Sequence, residues 1–297
     1  MKLYLFPVLA GLACVSVDAS AATWTGFNAV ILNDLSSVGD VEGAALVGGS
    51  VSGNNIFGSV GTSPSNLTLG VGGNVIGNLN LNSGDARIGG SATGFVNNNG
   101  GGSIVQGDAG IGALVTAVWN EAVSASGAFA ALSANSTTSA QPGNKLRFDA
   151  LDNADVAVFS INASDLSSYQ ELVLQRDGAT SIVINVLGGE SDIDVMSTMN
   201  SFAAHARDIV WNFVDAAGTL DVMRQMEGSV LASEAMIRLS AVIEGTVVAD
   251  SAMMNGQEFH LRPFSGDIPG TPVVPMPASG ALAAVGLVGV ASRRRRG

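Results

Sequence analysis

The stretch VGGSVSG at residues 47–53 returns twice, as VGGNVIG at 71–77 and as IGGSATG at 88–94. Glycine clusters this dense either cradle a phosphate group or form corners at which a repeating backbone turns. A phosphate-binding loop needs Gly-Lys-Ser/Thr, but the single lysine after residue 21 is Lys145, in PGNKL. The G-x-G-x-x-G spacing of dinucleotide-binding loops is also missing from all three copies. The pattern therefore predicts the corners of a repeated fold.

Two pairs of segments share an offset of 17 residues. Residues 88–94 match residues 105–110, and MEGSVLASEAM (226–236) matches IEGTVVADSAM (243–253). A period of roughly 17 to 24 residues is too short for helical repeats and fits one coil of a β-solenoid. The longer spacing between the first two glycine clusters predicts that one coil carries a loop, at residues 61–66.

The repeats predict a mainly β fold, a parallel β-solenoid. Val, Ile and Leu at alternate positions are expected to point inward and stack on their equivalents one coil away, with Ser, Thr and Asn facing outward. Residues 27–110 are expected to form four or five coils, and residues 226–253 two more. Strands are also predicted at 156–161, 171–175, 181–187 and 208–214, the last two apolar on both faces as in a buried parallel sheet.

One long helix is predicted after Asp108, the candidate N-cap. An apolar stripe at helical spacing runs for about 25 residues, and Gly127 weakens the helix. We expect this helix to lie along the open side of the solenoid and cover its core. The stripe comprises Ile111, Leu114, Val115, Val118, Ala122, Ala125, Phe129 and Leu132.

Both ends of the chain have the features of targeting segments. Residues 1–21 have the basic start, apolar run and Ala-Ser-Ala site of a secretory signal peptide, with cleavage by signal peptidase expected after Ala21. An alternative lipoprotein site at Cys14 fits less well, because the apolar run continues beyond this cysteine. The mature chain would then lack cysteine, so disulfides cannot stabilise it.

The C-terminal end has three ordered parts. Residues 269–277 are a proline-rich linker ending in Pro275, Met276 and Pro277. Residues 278–297 combine an apolar run, too short for an ordinary membrane span, with a basic tail that would stay on the cytoplasmic side. The tail is read either as a weak membrane anchor or as a sorting signal whose helix inserts transiently. Its basic residues are Arg293, Arg294, Arg295 and Arg296.

This tail resembles the PEP-CTERM class of sorting signals, and VPMPASG is similar to the VPLPA-CTERM variant, with Met276 where the larger class has Glu. The resemblance implies processing by an exosortase-like transpeptidase of a Gram-negative bacterium. It also implies export to the cell surface, the outer membrane or the extracellular matrix.

Residues 22–268 resemble the choice-of-anchor A domain. The resemblance rests on FNAVILNDLSSVGDVEGAALVGGSVSG (27–53), the paired GSVLASEA and GTVVADSA, and NGQEFHLRPFSGDIP (255–269), with Ser233-Glu234 as a departure. It implies a right-handed β-solenoid (β-helix) with one long α-helix packed alongside, similar in outline to bacterial ice-binding proteins. It implies no catalytic residues and no cofactor.

Charge excludes one class of partner. The chain has 13 Lys and Arg against 25 Asp and Glu, a formal net charge of −12. Nucleic acids attract basic proteins, so we expect no nucleic-acid binding.

Carboxylates are the main candidates for binding chemistry. Glu190, Asp192 and Asp194 alternate in GGESDIDV and would project to one side of an extended segment. They are candidate calcium ligands, or alternatively an acidic edge that discourages strand pairing. Glu227 and Glu244 occupy matching places one coil apart and are expected to face outward, where a cation could lie between them.

The two histidines, His205 and His260, do not complete a recognisable zinc motif. No G-x-S-x-G nucleophile elbow is present either. We expect His260, in the closing segment, to be structural rather than catalytic.

The sequence therefore predicts a secreted, non-catalytic structural or adhesin-like protein of the cell surface or extracellular matrix. Its expected partner is exopolysaccharide or another surface protein. One alternative is a carbohydrate-active β-helix enzyme, a polysaccharide lyase or hydrolase, which requires a groove with paired carboxylates and aromatics. The other is an ice-binding protein with threonines in register, although the copies offer Ser52, Ile76 and Thr93 at one equivalent position.

Overall fold

The computed structural model describes residues 23–266. The signal peptide, the linker and the sorting signal lie outside the described residues, and so do all the processing positions. The boundaries of these segments stay predictions. The processing positions are Ala21, Pro275, Met276, Pro277, Arg293, Arg294, Arg295 and Arg296.

The described residues form short strands, mostly parallel, and one long helix. In chain order the strands are β1 (Ala29–Ile31), β2 (Leu35–Val41), β3 (Ala45–Val47), β4 (Val51–Phe57), β5 (Leu67–Val71), β6 (Val75–Leu81), β7 (Asp85–Ile88), β8 (Val96–Asn98), β9 (Ile104–Gln106), β10 (Thr137–Gln141), β11 (Lys145–Asp149), β12 (Val156–Asn162), β13 (Glu171–Gln175), β14 (Ser181–Leu187), β15 (Ile193–Val195), β16 (Ile209–Phe213), β17 (Thr219–Val222), β18 (Met226–Glu227), β19 (Ser229–Leu239), β20 (Ile243–Glu244), β21 (Val247–Met253) and β22 (Phe259–His260). The helices are α1 (Ile111–Ala130) and α2 (Asp165–Ser168), with 3-10 turns at Trp24–Gly26 and Ala203–Asp208.

The largest sheet stacks one strand from each of ten coils of the described chain. All its pairings are parallel, in the order β12-β14-β16-β19-β21-β1-β3-β5-β7-β9. The predicted strands at 181–187 and 208–214 lie in this sheet, and β14 and β16 are buried on both faces as expected, apart from Leu187 at the end of β14. The predicted parallel β-solenoid is confirmed.

Two further faces complete each coil. The second face runs β15-β17-β19-β21-β2-β4-β6 and ends at Ala92, which forms a bridge with Val75. The third face begins with β18-β20-β22 and continues through the ends of β2, β4 and β6 to β8. Inward Val, Leu, Ile and Phe side chains from all three faces form one continuous core.

The two blocks of repeats meet in the middle of the stack. β1, from the N-terminal block, pairs with β3 on one side and with β21, from the C-terminal block, on the other. We call the junction between the two blocks the seam, and the fully buried Asn28 bridges it. Asn28 Nδ2 donates to the carbonyls of Gly245 (2.9 Å) and His260 (3.0 Å), and Asn28 Oδ1 accepts from the Gly43 amide (3.0 Å). The order of coils in space is therefore not their order in sequence.

The 17-residue offset holds in part. Met226 pairs with Ile243, and the predicted loop separates β4 from β5. However, Ile88 pairs with Gln106 rather than with Val105, because the loop before β9 has one more residue than the period allows. After Ala232 a bulge shifts the register, so that Met236 pairs with Ser251 and not with Met253.

The glycine-rich stretch at residues 47–53 and its copy at 71–77 form corners of the solenoid, as predicted. Gly53 and the equivalent Gly77 have φ of +104° and +108°, where β4 and β6 turn from the second face to the third. A Cβ on Gly53 would collide with the carbonyl oxygen of Ser37 in the adjacent coil. Only glycine allows both this backbone conformation and this close approach of coils.

Helix α1 packs on the outer side of the ten-strand sheet, which confirms a helix alongside the solenoid. It is shorter than expected, and Gly110 rather than Asp108 is its N-cap. Asp108 pairs instead with Arg87. On the sheet, the Nδ2 atoms of Asn185 and Asn212 donate to the carbonyls of Phe129 (2.8 Å) and Ser126 (3.0 Å) near the helix end.

A small sheet covers one end of the solenoid. β10 and β11 form a hairpin, and β13, the strand predicted at 171–175, joins them. The sequence did not predict this hairpin, in which Pro142 and Gly143 lie in the turn between β10 and β11. Phe148 of β11 makes edge contacts with Phe159, Phe202 and Trp211 of the solenoid, which anchors the small sheet.

We predict opposite effects for two glycine-to-alanine substitutions. Gly53→Ala should lower the free energy of unfolding by about 1–3 kcal/mol, because alanine is strained at this φ and meets the Ser37 carbonyl. Gly127→Ala is the control, because nothing lies within 4 Å of its added Cβ. This change in the helix interior should raise stability by about 0.5–1 kcal/mol. Denaturant titration measures both, and an unchanged or more stable Gly53→Ala variant would contradict the corner assignment.

Candidate functional site

The N-terminal coils present asparagine side chains on the third face. Asn54, Asn78, Asn80 and Asn97, together with the neighbouring Phe95, are called the asparagine face here. The strand register places Asn54 beside Asn78, and Asn80 beside Asn97. These amides repeat at the interstrand spacing of about 4.8 Å.

The amides of the asparagine face hydrogen-bond along the stack. Asn78 Nδ2 donates to Asn54 Oδ1 (2.9 Å), and Asn97 Nδ2 donates to Asn80 Oδ1 (3.3 Å). Each link uses one of the two donor hydrogens of an amide nitrogen, so donors and acceptors remain for a ligand. The face therefore offers a fixed, uncharged array of hydrogen-bonding groups.

Exposed apolar side chains lie in and beside this array. Phe95 is 70% exposed and follows Asn78 in the same row, and its backbone N–H donates to Asn78 Oδ1 (3.4 Å). Val38 is 58% exposed and pairs with Asn54 at the other end of the row. A row with an aromatic side chain at one end and planar amides beside it suits a ligand that has both apolar and hydroxyl surfaces.

The second face has an outward row of mixed composition. Ser36, Ser52 and Ile76 are adjacent by register, and the bridge between Val75 and Ala92 places Thr93 next. The predicted equivalence of Ser52, Ile76 and Thr93 is therefore confirmed. Toward the C-terminal block the row continues with Met253 and Arg238, so it is neither uniform nor threonine-rich.

The predicted calcium candidates lie at the end of the second face. Asp194 is on β15, which pairs only with β17 among the described strands. Asp192 Oδ1 accepts the Thr219 amide (2.8 Å). Within residues 23–266, Glu190, Asp192 and Asp194 are not brought together as a set of ligands. This arrangement favours the alternative that the three carboxylates form an acidic edge of the sheet. Calcium binding by these residues stays a prediction that the structure does not support.

A second cluster of charged residues lies on the third face at the seam. Glu227 and Glu244 are adjacent by register, as predicted, but both are almost fully buried rather than open to solvent. His260 Nδ1 lies 2.7 Å from Glu244 Oε1, and Arg262 Nε donates to Glu244 Oε2 (2.7 Å). The positive groups beside Glu244 thus come from the closing segment of the chain. His260 therefore contacts two glutamates, Glu244 and Glu258, and the sequence did not predict these contacts.

Burial and nearby charged groups shift the pKa values of this cluster. Burial raises the pKa of Glu227 above its usual range, and the charge of Glu244 raises it further. Burial lowers the pKa of His260, but its hydrogen bonds to Glu244 and Glu258 outweigh this effect, so the net pKa is raised. The other histidine, His205, has a lowered pKa because of burial and the nearby charge of Arg176.

Two cavities flank Arg224. One has a volume of about 520 Å³ and includes Glu227. The other, of about 560 Å³, includes Tyr169 and Glu171, and Glu171 is paired with Lys145 (2.6 Å). Each of these two cavities has one carboxylate in its wall, whereas glycoside hydrolysis commonly needs two. Their geometry does not match the groove expected of a carbohydrate-active enzyme.

Comparison with known families identifies the domain. A family model described as "Putative Ice-binding-like adhesive domain" matches residues 20–261. The chain belongs to this family. The matched range includes every strand of the solenoid, the asparagine face, and Glu227, Glu244 and His260 at the seam.

Similarity to individual proteins is low. The crystal structure of an ice-binding protein from an Antarctic ascomycete, Antarctomyces psychrotrophicus, covers 80% of this chain and 96% of its own, at 16% identity and a TM-score of 0.34. That score supports no argument about function. No curated protein sequence matches the chain. In the part of the chain that the structure describes, no helix is long and apolar enough to cross a membrane.

Proposed function

We propose that this ice-binding-like adhesive domain is a non-catalytic, surface-exposed adhesion module that binds neutral exopolysaccharide through its asparagine face. The observation that carries the proposal is the array of amide pairs that ends in the exposed Phe95. An amide offers a donor and an acceptor to neighbouring sugar hydroxyls, while an aromatic ring packs on the apolar side of a sugar ring.

Rigidity supports binding of a polymer. The amides are held on strands of a continuous sheet, so little side-chain entropy is lost when a ligand binds. Their repeat along the stack suits an extended, repetitive ligand that contacts several coils at once. Weak contacts repeated along one polymer add up to useful avidity.

Charge narrows the class of polysaccharide. The asparagine face contains no ionisable side chain, and the chain as a whole has a formal net charge of −12. An anionic polysaccharide would be repelled by this field. A neutral polymer avoids this repulsion, which is why we favour it over an acidic one.

Binding to a glycan array of neutral and acidic polysaccharides tests the proposal. We expect binding to a neutral glycan that falls about 5–30-fold in Phe95→Ala and Asn78→Asp, since each removes a contact of the order of 1–2 kcal/mol. Asn120→Asp is the matched control, because Asn120 is an exposed asparagine on α1, away from the asparagine face. This variant should bind as the wild type does.

Other outcomes of the same experiment separate the alternatives. Release of sugar from a bound polysaccharide would favour the carbohydrate-active enzyme. Thermal hysteresis of the purified chain, without glycan binding, would favour ice binding. Capture of a surface protein with no response to glycans would replace the polysaccharide by a protein partner. Unchanged glycan binding in Phe95→Ala and Asn78→Asp would contradict the assignment of the asparagine face as the binding surface.

Delivery to the cell surface is part of this proposal. The signal peptide and the tail resembling PEP-CTERM support export followed by processing by an exosortase-like enzyme. Mass spectrometry of the C-terminus of the protein recovered from the cell surface is the test. We expect a chain that ends near residues 275–277, and recovery of intact Arg293–Arg296 would contradict processing and favour a membrane anchor.

A further inference from the structure

Two neighbouring strands place four ionisable side chains in a square at the seam. Asp40 and Glu42 flank the inward Val41 at the end of β2, and Glu258 and His260 flank the inward Phe259 at β22. Val41 and Phe259 are partners in the parallel register. Residues two apart lie on the same side of a strand, so all four side chains leave the same face of the sheet, about 4.8 Å apart across the strands.

Three of these residues have ligand atoms close enough to share one ion. One oxygen of Glu42, one oxygen of Glu258 and one ring nitrogen of His260 all lie within 4.8 Å of one another. His260 Nε2 is 3.0 Å from Glu258 Oε2. Two ligands at zinc bond lengths and a tetrahedral angle are about 3.3 Å apart, so this pair needs to open by only about 0.3 Å.

Neighbouring groups orient these ligands. His260 Nδ1 lies 2.7 Å from Glu244 Oε1, which fixes the ring with Nε2 toward Glu258. The Leu261 amide donates to Glu42 Oε2 (2.7 Å), which holds that carboxylate in place. A carboxylate behind the non-ligating nitrogen of a histidine is the usual arrangement at protein metal sites.

Asp40 provides a separate sign that a cation belongs here. Its Oδ1 is buried and has no hydrogen-bond partner among residues 23–266, although Ser59 hydrogen-bonds to the same carboxylate. The charges of Glu258 and Glu42 act on the Asp40 carboxylate, so three carboxylates lie close together at this position. A buried carboxylate oxygen without a partner is costly unless something neutralises it.

We propose that Glu42, Glu258 and His260 bind a divalent transition-metal ion, with Zn²⁺ as the best match, and that Asp40 or water completes the coordination. One imidazole nitrogen with carboxylate oxygens suits zinc, whereas calcium and magnesium take oxygen ligands. The ion would join β2 to β22, which are more than 200 residues apart in sequence. The bound ion would therefore cross-link the N-terminal and C-terminal blocks and stabilise their contact.

Calorimetric titration of the metal-free full chain with ZnCl2, MgCl2 and CaCl2 tests the site. We expect one Zn²⁺ per chain, little response to Mg²⁺ or Ca²⁺, and a melting temperature that rises with Zn²⁺. Glu258→Gln should weaken Zn²⁺ binding at least tenfold and keep its fold, because the Glu258 side chain is 45% exposed. Glu244→Gln, which removes the charge that orients His260 and pairs with Arg262, should weaken binding about 10–100-fold.

Glu234→Gln is the matched control, because Glu234 is an exposed glutamate on β19 away from the square. It should bind Zn²⁺ as the wild type does. The metal site is independent of the asparagine face, so glycan binding should survive in Glu258→Gln. Absence of stoichiometric Zn²⁺ binding, or equal binding by the wild type and Glu258→Gln, would overturn the proposal.

Discussion

Parallel hydrogen bonding between β21 and β1 holds the two blocks of the chain in one stack. The pairs Ala29–Val247, Val30–Val248 and Ile31–Ala249 put strands from opposite ends of the sequence side by side in the middle of the ten-strand sheet. A one-residue slip would turn the inward side chains of one block outward, so the core fixes this register. Asn28 then satisfies three backbone groups at the same place.

Both candidate surfaces follow from this stacking. The N-terminal coils alone supply the asparagine face, because Asn54, Asn78 and Asn97 belong to successive coils of one block. The cluster of Glu42, Glu258 and His260 needs both blocks, because Glu42 comes from the N-terminal block and the other two residues come from the C-terminal block. One surface therefore depends on the repeat, and the other on the closure of the seam.

The sequence predicted what depends on local pattern. Glycine clusters predicted the corners at Gly53 and Gly77, and alternation of apolar residues predicted which side chains point inward. It did not predict the seam, because a 17-residue period carries no information about which coil stacks on which. The cluster of Glu42, Glu258 and His260 was missed for the same reason, although Asp40-Val41-Glu42 and Glu258-Phe259-His260 both show a polar-apolar-polar pattern. The sequence also did not predict the bulge after Ala232, because the identical residues of segments 226–236 and 243–253 suggested a constant pairing offset of 17 residues.

Native-state hydrogen exchange at the seam tests the account most directly. The Leu32 amide donates to the Ala249 carbonyl (3.1 Å), and the Val247 amide donates to the Asn28 carbonyl (2.9 Å). Both amides should exchange only through global unfolding, as expected for the centre of a cooperative core. Amides of β9, at the end of the sheet, should exchange faster. Exchange at Leu32 and Val247 as fast as in β9 would show that the two blocks do not form one stack.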